Sequence, residues 1–464
     1  MKTDSIFVEQ FVDEGLGNSA YLVGSHATKA AVLIDPLRDV DQYLAAAERL
    51  SVKITHVLDT HLHADFISGA RELAAQAGAV IGVSAEAKVG FDHRPLAEND
   101  GLEIGDVRLV VLQTPGHTPE HISFLLTEAG SPTALFSGGA LIVGGAARTD
   151  LLGHDLTLPL ARHLYHTLRD KLLTLPDEVN VYPTHGAGSF CVAPASSDRV
   201  TTIGRERRSN PLAQVKTEGE FVTRALSGLP SYPVYYKEMR PINQRGPKLL
   251  GGVPVLKPLP AEEVRGQIER GGLVLDVRPK EAFAEAHIPG AYGIALDAPL
   301  VTWAGWLIPF DAPLILVAAS VADREAAVRQ LIRIGYDNLL GYLEGGVEAW
   351  VKADLRTERL QTMSVAELRA RVRSGEALTV LDVRQDSEWE AGHIPGALHI
   401  ENGRLPYDNL SLSTDRPIAV HCAHGTRSTT AISVLLRRGY HNLILVTGGF
   451  VAWQARRFEV ERGK

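Results

Sequence analysis

Apolar residues along this chain gather into short β-branched runs, separated by polar turns marked with Gly and Pro. Ile54 to Leu58 is one such run, and its length between turn signals fits a buried strand. In the C-terminal half the runs alternate with helical stretches: Thr379 to Val383, Ile418 to His421, then Ser428 to Arg438. That alternation predicts parallel sheets flanked by helices. Residues 197–228 read as helices covering the sheet of the first region. The Pro- and Gly-rich stretch from Arg245 to Pro260 and a shorter linker over 354–362 interrupt the pattern. The expected organisation is therefore three domains, over 1–250, 255–355 and 360–464.

The last two are copies of one another. Leu275-Asp276-Val277-Arg278 recurs as Leu381-Asp382-Val383-Arg384, an offset of 382 − 276 = 106. His287-Ile288-Pro289-Gly290-Ala291 recurs at His393 to Ala397 with the same offset. Gly345-Gly346-Val347-Glu348-Ala349-Trp350 recurs as Gly448-Gly449-Phe450-Val451-Ala452-Trp453. Two copies with a period near 100 mean tandem domains, since solenoids repeat every 20–50 residues.

Composition narrows the class without choosing a function. At 464 residues the chain is too long for one core, and 45% hydrophobic with 22% charged residues is ordinary for a globular protein. A formal net charge of −8 argues against nucleic-acid partners and against an anionic membrane surface. No apolar run approaches the about 18 residues of a membrane span, and Met1 to Ser5 lack a signal-peptide core. Cys191 and Cys422 are the two cysteines, too few for a disulfide framework. A cytoplasmic location is the expectation.

The sharpest chemistry lies at Cys422. The strand Ile418 to His421 runs into Cys422-Ala423-His424-Gly425-Thr426-Arg427-Ser428, which opens onto a helix. Backbone N–H groups at a helix start, with an Arg close by, stabilise an anionic sulfur and would equally cradle a persulfide. With the repeated Asp-Val-Arg, His-Ile-Pro-Gly-Ala and Gly-Gly-x-x-Ala-Trp motifs, this stretch resembles the rhodanese family. The resemblance implies that Cys422 carries sulfur and that Ala423, His424, Gly425, Thr426 and Arg427 form its loop, with Asp382 and Arg384 as scaffold. In the first copy, Ile315 to Ala319 aligns with Ile418 to Cys422, so an alanine stands where the nucleophile should be. That copy reads as a spacer or docking domain.

A second site is marked by histidines. Thr60-His61-Leu62-His63-Ala64-Asp65-Phe66 follows the Ile54 to Leu58 strand, and His117 and His185 sit in Thr-Pro-Gly-His-Thr and Tyr-Pro-Thr-His-Gly. Imidazoles at strand ends can converge on one ion. Four histidines in this order resemble the metallo-β-lactamase superfamily, over roughly residues 1–250. Phe66 stands where dinuclear hydrolases of that superfamily place a ligand to a second metal, so the resemblance implies a single ion. Mononuclear members include persulfide dioxygenases, which hold iron with two His and one Asp. By that resemblance His61 and His117 are ligands, but Gly139 occupies the position of the Asp. Three resolutions stand open: His63 completes a three-histidine site, Asp65 or Asp150 supplies the carboxylate, or the metal is weak or lost. His185 stands between a ligand and a substrate-binding or supporting role, and His121 between a supporting and a surface role. Cys191 reads as packing. Arg148, Asp150, Arg205 and Arg207 are candidate substrate-binding residues for an anionic carrier such as glutathione or coenzyme A.

The expected fold is α/β multidomain: an αββα metallo-β-lactamase sandwich followed by two α/β rhodanese domains. The expected function is persulfide processing, by a metal domain of the persulfide dioxygenase kind joined to a rhodanese sulfurtransferase. One metal is expected, with Fe(II) favoured over Zn(II). Low-molecular-weight thiol persulfides, thiosulfate or sulfite are the expected partners, and a homodimer is implied by the resemblance. The alternatives are a glyoxalase-II-like zinc thioester hydrolase fused to rhodanese, and a metal-free persulfide relay.

Overall fold

The computed structural model describes residues 6–105, 107–191, 197–297 and 299–463; the reading of Met1 to Ser5 lies outside them. The chain forms two compact units, Met1–Pro254 with Ile332–Gly335, and Val255–Leu331 with Tyr336–Lys464.

The first unit stacks two six-stranded sheets. One runs in chain order through Ile6–Asp13, Asn18–Ser25, Ala30–Ile34, Lys53–Leu58, Val80–Ser84 and Arg94–Leu96. The other runs from Thr201–Thr202 through Asn180–Pro183, Ser131–Gly138, Ile122–Glu128 and Val107–Gln113 to Gly101–Ile104. Strand Asn18–Ser25 is buried on both faces, and the period-2 alternation of side chains divides its residues between two cores. Tyr21 and Val23 join Leu58, Leu109, Phe124 and Phe136 between the sheets. Leu22 instead packs with Tyr43 and Leu73, from helices Asp41–Arg49 and Ala70–Ala77. On the outer face of the second sheet, Leu135 meets Leu164 and Phe221, from helices His154–His166 and Glu218–Leu226. These are the four expected αββα layers. Each fully buried Leu, Val or Phe contributes about 1.5–3 kcal/mol, so the sandwich holds the loops at its edge on a rigid base. Residues 197–228 are less helical than the pattern suggests, because Thr201–Thr202 adds a short edge strand before helix Ile203–Ser209.

The second unit holds two five-stranded, all-parallel sheets of identical topology. One is ordered Pro258–Leu259, Leu339–Leu343, Leu314–Val317, Leu273–Asp276, Tyr292–Gly293. The other is ordered Gln361–Ser364, Leu443–Thr447, Ile418–His421, Thr379–Asp382, Leu398–His399. The repeated motifs are braces in both. Arg278 clamps Asp276 and the Ala286 carbonyl, while Arg384 clamps Asp382 and the Gly392 carbonyl. The indole N–H of Trp350 donates to the Arg356 carbonyl, and that of Trp453 to Glu459. No helix among the described residues is long and apolar enough to cross a membrane.

Candidate active site

The metal-binding candidates lie on loops that leave the ends of three strands. His61, His63 and Asp65 follow Lys53–Leu58, His117 follows Val107–Gln113, and His185 follows Asn180–Pro183. All five side chains are buried. Three of the imidazoles present the same nitrogen to a common centre. His117 Nδ1 donates to the Arg148 carbonyl at 2.6 Å, which leaves Nε2 with its lone pair. His185 Nδ1 lies 2.9 Å from Asn18 Oδ1. The Asn18 amide nitrogen already donates to Asp65 at 2.7 Å, so that oxygen accepts and His185 Nδ1 carries the proton. Thr60 Oγ1 donates to Asp35 Oδ2 at 2.8 Å, so it accepts from His61 Nδ1, also at 2.8 Å.

Each Nε2 therefore offers a lone pair inward. His61 Nε2 and His185 Nε2 are 3.3 Å apart, and His117 Nε2 finds no hydrogen-bond partner among the described residues. Converging lone pairs with no donor between them are costly in a dry pocket unless a cation sits there. Ligand atoms of His61, His117 and His185 all lie within 4.8 Å of one another. Burial, reinforced by the neighbouring His185, pushes His117 down to about 3. Burial likewise pushes His61 well below the ordinary histidine range, with help from the imidazoles around it. Neutral imidazoles are the form that ligates a metal. The donor set fits one ion, with each Nδ1 partner fixing tautomer and ring orientation.

His63 lies beside this trio, its ring centroid 4.1 Å from that of His61, and its ligand nitrogen groups with Asp65 and His185 instead. Its Nε2 lies 3.2 Å from Asp35 Oδ1, and its ring stacks on Phe66 at 4.1 Å. Burial opposes protonation there, but Asp35, Asp59 and Asp65 together raise the His63 pKa. Asp65 lies behind His185, held ionised against burial by His185 and Asn18. Asp150 is occupied by Arg148 at 2.6 and 2.7 Å. Gly139 leaves no room for a carboxylate in this arrangement, because a Cβ there would lie 2.8 Å from the His117 ring and 3.0 Å from Ala147. His121 braces the turn: its Nε2 accepts from the Gly139 N–H at 3.0 Å and its Nδ1 meets Thr114 Oγ1 at 2.8 Å. Both His121 nitrogens are thereby taken.

The candidate carrier-binding arginines are engaged with the protein. Arg148 also reaches the carbonyls of Phe190 and Pro230 and lies over Tyr232 at 4.7 Å. Arg205 pairs with Asp198, and Arg207 binds Asp177 and the carbonyls of Leu173 and Leu175. Cys191 is buried, and burial raises its thiol pKa well above the ordinary range, as suits packing. Asn18 and Asp35, which with Thr60 orient the trio, carry no sequence signal, since single polar residues far apart have no spacing to read.

In the second unit, Cys422 ends strand Ile418–His421 directly before helix Thr426–Arg437. Its sulfur accepts from the Gly425 N–H at 3.1 Å, and the Ser428 hydroxyl, which donates to the Gly425 carbonyl at 2.9 Å, lies 3.5 Å away. Gly425 has φ 105°, a region that disfavours any Cβ. The loop is pinned from behind by the repeated Gly-Gly motif. Phe450 N–H donates to the Cys422 carbonyl at 2.7 Å and Val451 N–H to Ala423 at 3.1 Å. A Cβ on Gly449 would collide with the Cys422 carbonyl oxygen, so this close approach requires glycine. Arg427 makes a bidentate pair with Glu388 at 2.5 and 2.8 Å, a partner that no motif announces.

Sheet register corrects the alignment of the copies by one residue. Asp276 faces Val317 as Asp382 faces His421, so Ala318, not Ala319, is the counterpart of Cys422. The motif offset slips because the copies differ by one residue between this strand and the Gly-Gly turn.

Two family models match these regions: the metallo-beta-lactamase superfamily over residues 13–185, and the rhodanese-like domain over 260–353 and again over 364–456. The human mitochondrial persulfide dioxygenase ETHE1 is 31% identical over 206 residues, covering 44% of this chain and 73% of that protein. The chain belongs to the metallo-beta-lactamase superfamily. It joins an ETHE1-like domain of that superfamily to two rhodanese-like domains. A metallo-beta-lactamase superfamily likeness also extends to the hydroxyacylglutathione hydrolase of Rhodospirillum rubrum, 37% identical over 36% of this chain and 62% of that one. In fold, the chain is similar to a crystal structure of a metallo-beta-lactamase from Staphylococcus aureus, with TM-score 0.66 and 32% identity, over 73% of this chain and 99% of that one. Homologues of this superfamily and of rhodanese support enzymatic activity at both sites.

Proposed function

We propose that this metallo-beta-lactamase and rhodanese fusion processes sulfane sulfur, oxidising a low-molecular-weight persulfide at the first unit and transferring sulfur through Cys422 at the second. The observation that carries the first half is the convergence of three Nε2 lone pairs, from His61, His117 and His185. One metal ion fits there, and we assign Fe(II), since O₂ chemistry needs a redox metal and zinc has none to offer. Iron held by these three histidines would supply the site's capacity to activate O₂ beside a persulfide. The protein's part is to keep His61 and His117 neutral and to orient the three rings through Arg148, Asn18 and Thr60. Buried packing around Phe66 keeps the centre mononuclear.

At Cys422 the reaction needs no redox partner. The thiolate attacks the sulfane sulfur of thiosulfate, an S–S bond forms on Cys422, and the S–S bond of the donor breaks with its electron pair leaving on sulfite. The Gly425 N–H supports the sulfur's charge, and the Ser428 hydroxyl holds that loop by donating to the Gly425 carbonyl.

A zinc thioester hydrolase is the second reading, because three histidine ligands with an open position are also a hydrolytic zinc set. Metal analysis of freshly purified protein separates the two: iron with O₂ uptake on glutathione persulfide supports the dioxygenase, and zinc with thioester cleavage supports the hydrolase. His185→Ala is expected to reduce metal affinity by more than the about 10–100-fold typical of losing an outer partner, whereas His63→Ala retains the ion. Full metal retention in His185→Ala would overturn the ligand set.

A further inference from the structure

The copy without a cysteine contributes a wall to the site of the copy that has one. A cleft of about 570 Å³ opens beside the Cys422 loop, lined by His424 and Gly425 of that loop together with Lys280, Glu281, Glu285 and Arg359. Lys280 is the first residue of helix Lys280–Glu285 in the first rhodanese copy. Its stem passes Gly425, with Cε 3.7 Å and Cδ 3.9 Å from where a Cβ on that glycine would lie. Its ammonium is loosely held, 3.8 Å from Glu281. The equivalent first residue of helix Asp386–Ala391 in the second copy is Asp386, so the two copies carry opposite charge at this position.

Size and charge together identify the occupant. Thiosulfate or sulfite would fill a small part of about 570 Å³, a volume in the range of drug-sized ligands. Two cations and two carboxylates in one lining match a zwitterion rather than a simple anion. We infer that the cleft is the subsite for a carboxylate-bearing peptide thiol, with Lys280 and Arg359 receiving its carboxylates and Glu281 and Glu285 its ammonium group. Its sulfur then faces the Cys422 loop across Gly425. The acceptor thiolate attacks the outer sulfur of the Cys422 persulfide, a new S–S bond forms on the acceptor, and the bond to Cys422 breaks with its electron pair remaining on the Cys422 thiolate. Lys280 is thus a positioning residue supplied by the catalytically empty copy. This inference rests on Cys422 being the sulfur carrier, and its test is independent of turnover.

The test is protection of Cys422 from iodoacetamide in the full-length protein, with S-methylglutathione as a non-reacting probe and 2-(methylthio)ethanol as its uncharged control. S-methylglutathione is expected to protect and the control not to. Lys280→Glu raises the half-protecting concentration about tenfold, Lys280→Gln raises it less, and Lys280→Arg restores it. The unprotected alkylation rate stays within about twofold in all three, which reports an intact loop even where sulfur transfer is not detected. No protection of the wild type, or equal protection of wild type and Lys280→Glu, would overturn the subsite. Absence of thiosulfate:thiol transfer in a wild type that is still protected would instead overturn the sulfurtransferase reading.

Discussion

The two rhodanese copies share a scaffold and differ in one loop, and the difference shows what the chemistry needs. Both keep the Asp–Arg clamp, the stacked histidine and the braced tryptophan. In the second copy the loop reads Cys422-Ala423-His424-Gly425-Thr426-Arg427, and in the first Ala318-Ala319-Ser320-Val321-Ala322-Asp323. Helix Thr426–Arg437 starts at Gly425 with no side-chain cap, so its first N–H groups are left for the sulfur. The first copy caps its helix instead, with Ser320 Oγ accepting from the Asp323 N–H at 3.1 Å. A helix start either satisfies its own donors or lends them to a ligand. Fold stability and sulfur handling are therefore separable, because the braces lie outside the loop.

The largest break in the comparison is Cys422→Ser, which is expected to take thiosulfate:thiol sulfur transfer to the assay floor while leaving the circular-dichroism melt within a few degrees. Adding Ala318→Cys to that variant is expected to restore nothing. The new thiol would stand before a self-capped helix, with Val321 in the place of Gly425 and Asp323 in that of Arg427. Recovery of transfer by the double variant would show that the thiol alone suffices.

Next in size is Gly425→Ala. A Cβ at φ 105° costs about 1–2 kcal/mol, which the loop relieves by turning its N–H away from the sulfur. Losing one hydrogen bond to a charged group, about 1.5–3 kcal/mol, corresponds to a fall in kcat/KM on the order of 10–100-fold. Stopped-flow formation of the Cys422 persulfide measures it. An unchanged rate would mean that the sulfur does not depend on this N–H.

The same contrast explains what can be read from sequence. Cys422 and its loop are contiguous and flanked by repeated motifs, so the candidate nucleophile and the motifs that brace its loop stand out in the amino-acid order alone. The αββα sandwich and the paired parallel sheets are equally plain, because turn-punctuated apolar runs imply them. At the metal centre, sequence supplies the histidines but not which nitrogens converge. That depends on Asn18, Asp35, Thr60 and the Arg148 carbonyl, brought together from four separate stretches of chain. Gly139 signals a missing carboxylate, yet only the fold shows His63 Nε2 beside Asp35 and His185 Nε2 beside His61. The alignment of Ala319 with Cys422 slips for a similar reason, since register belongs to sheet pairing and not to motif spacing.

The finest distinction between the copies is Glu388, whose counterpart in the first copy is Ala282. Glu388 holds Arg427 through two hydrogen bonds and also accepts from the Gln385 N–H at 3.0 Å. Arg427 holds the Glu388 carboxyl below the usual range although burial opposes it. A partly buried bidentate pair of this kind contributes about 0.5–1 kcal/mol to stability, so Glu388→Gln lowers Tm by a few degrees at most. Its kinetic effect has a definite sign. With the carboxylate gone, Arg427 keeps its charge but loses its fixed orientation, while the field at the sulfur becomes more positive. Thiosulfate capture gains from the field and loses from the disorder, and a planar guanidinium recognises oxyanions by its geometry, so the loss prevails. The expected outcome is a rise of roughly two- to fivefold in the KM for thiosulfate with kcat nearly unchanged, consistent with about 0.5–1 kcal/mol. A lower KM would show that Glu388 restrains the site electrostatically and that the alanine of the first copy removes a brake instead of a support.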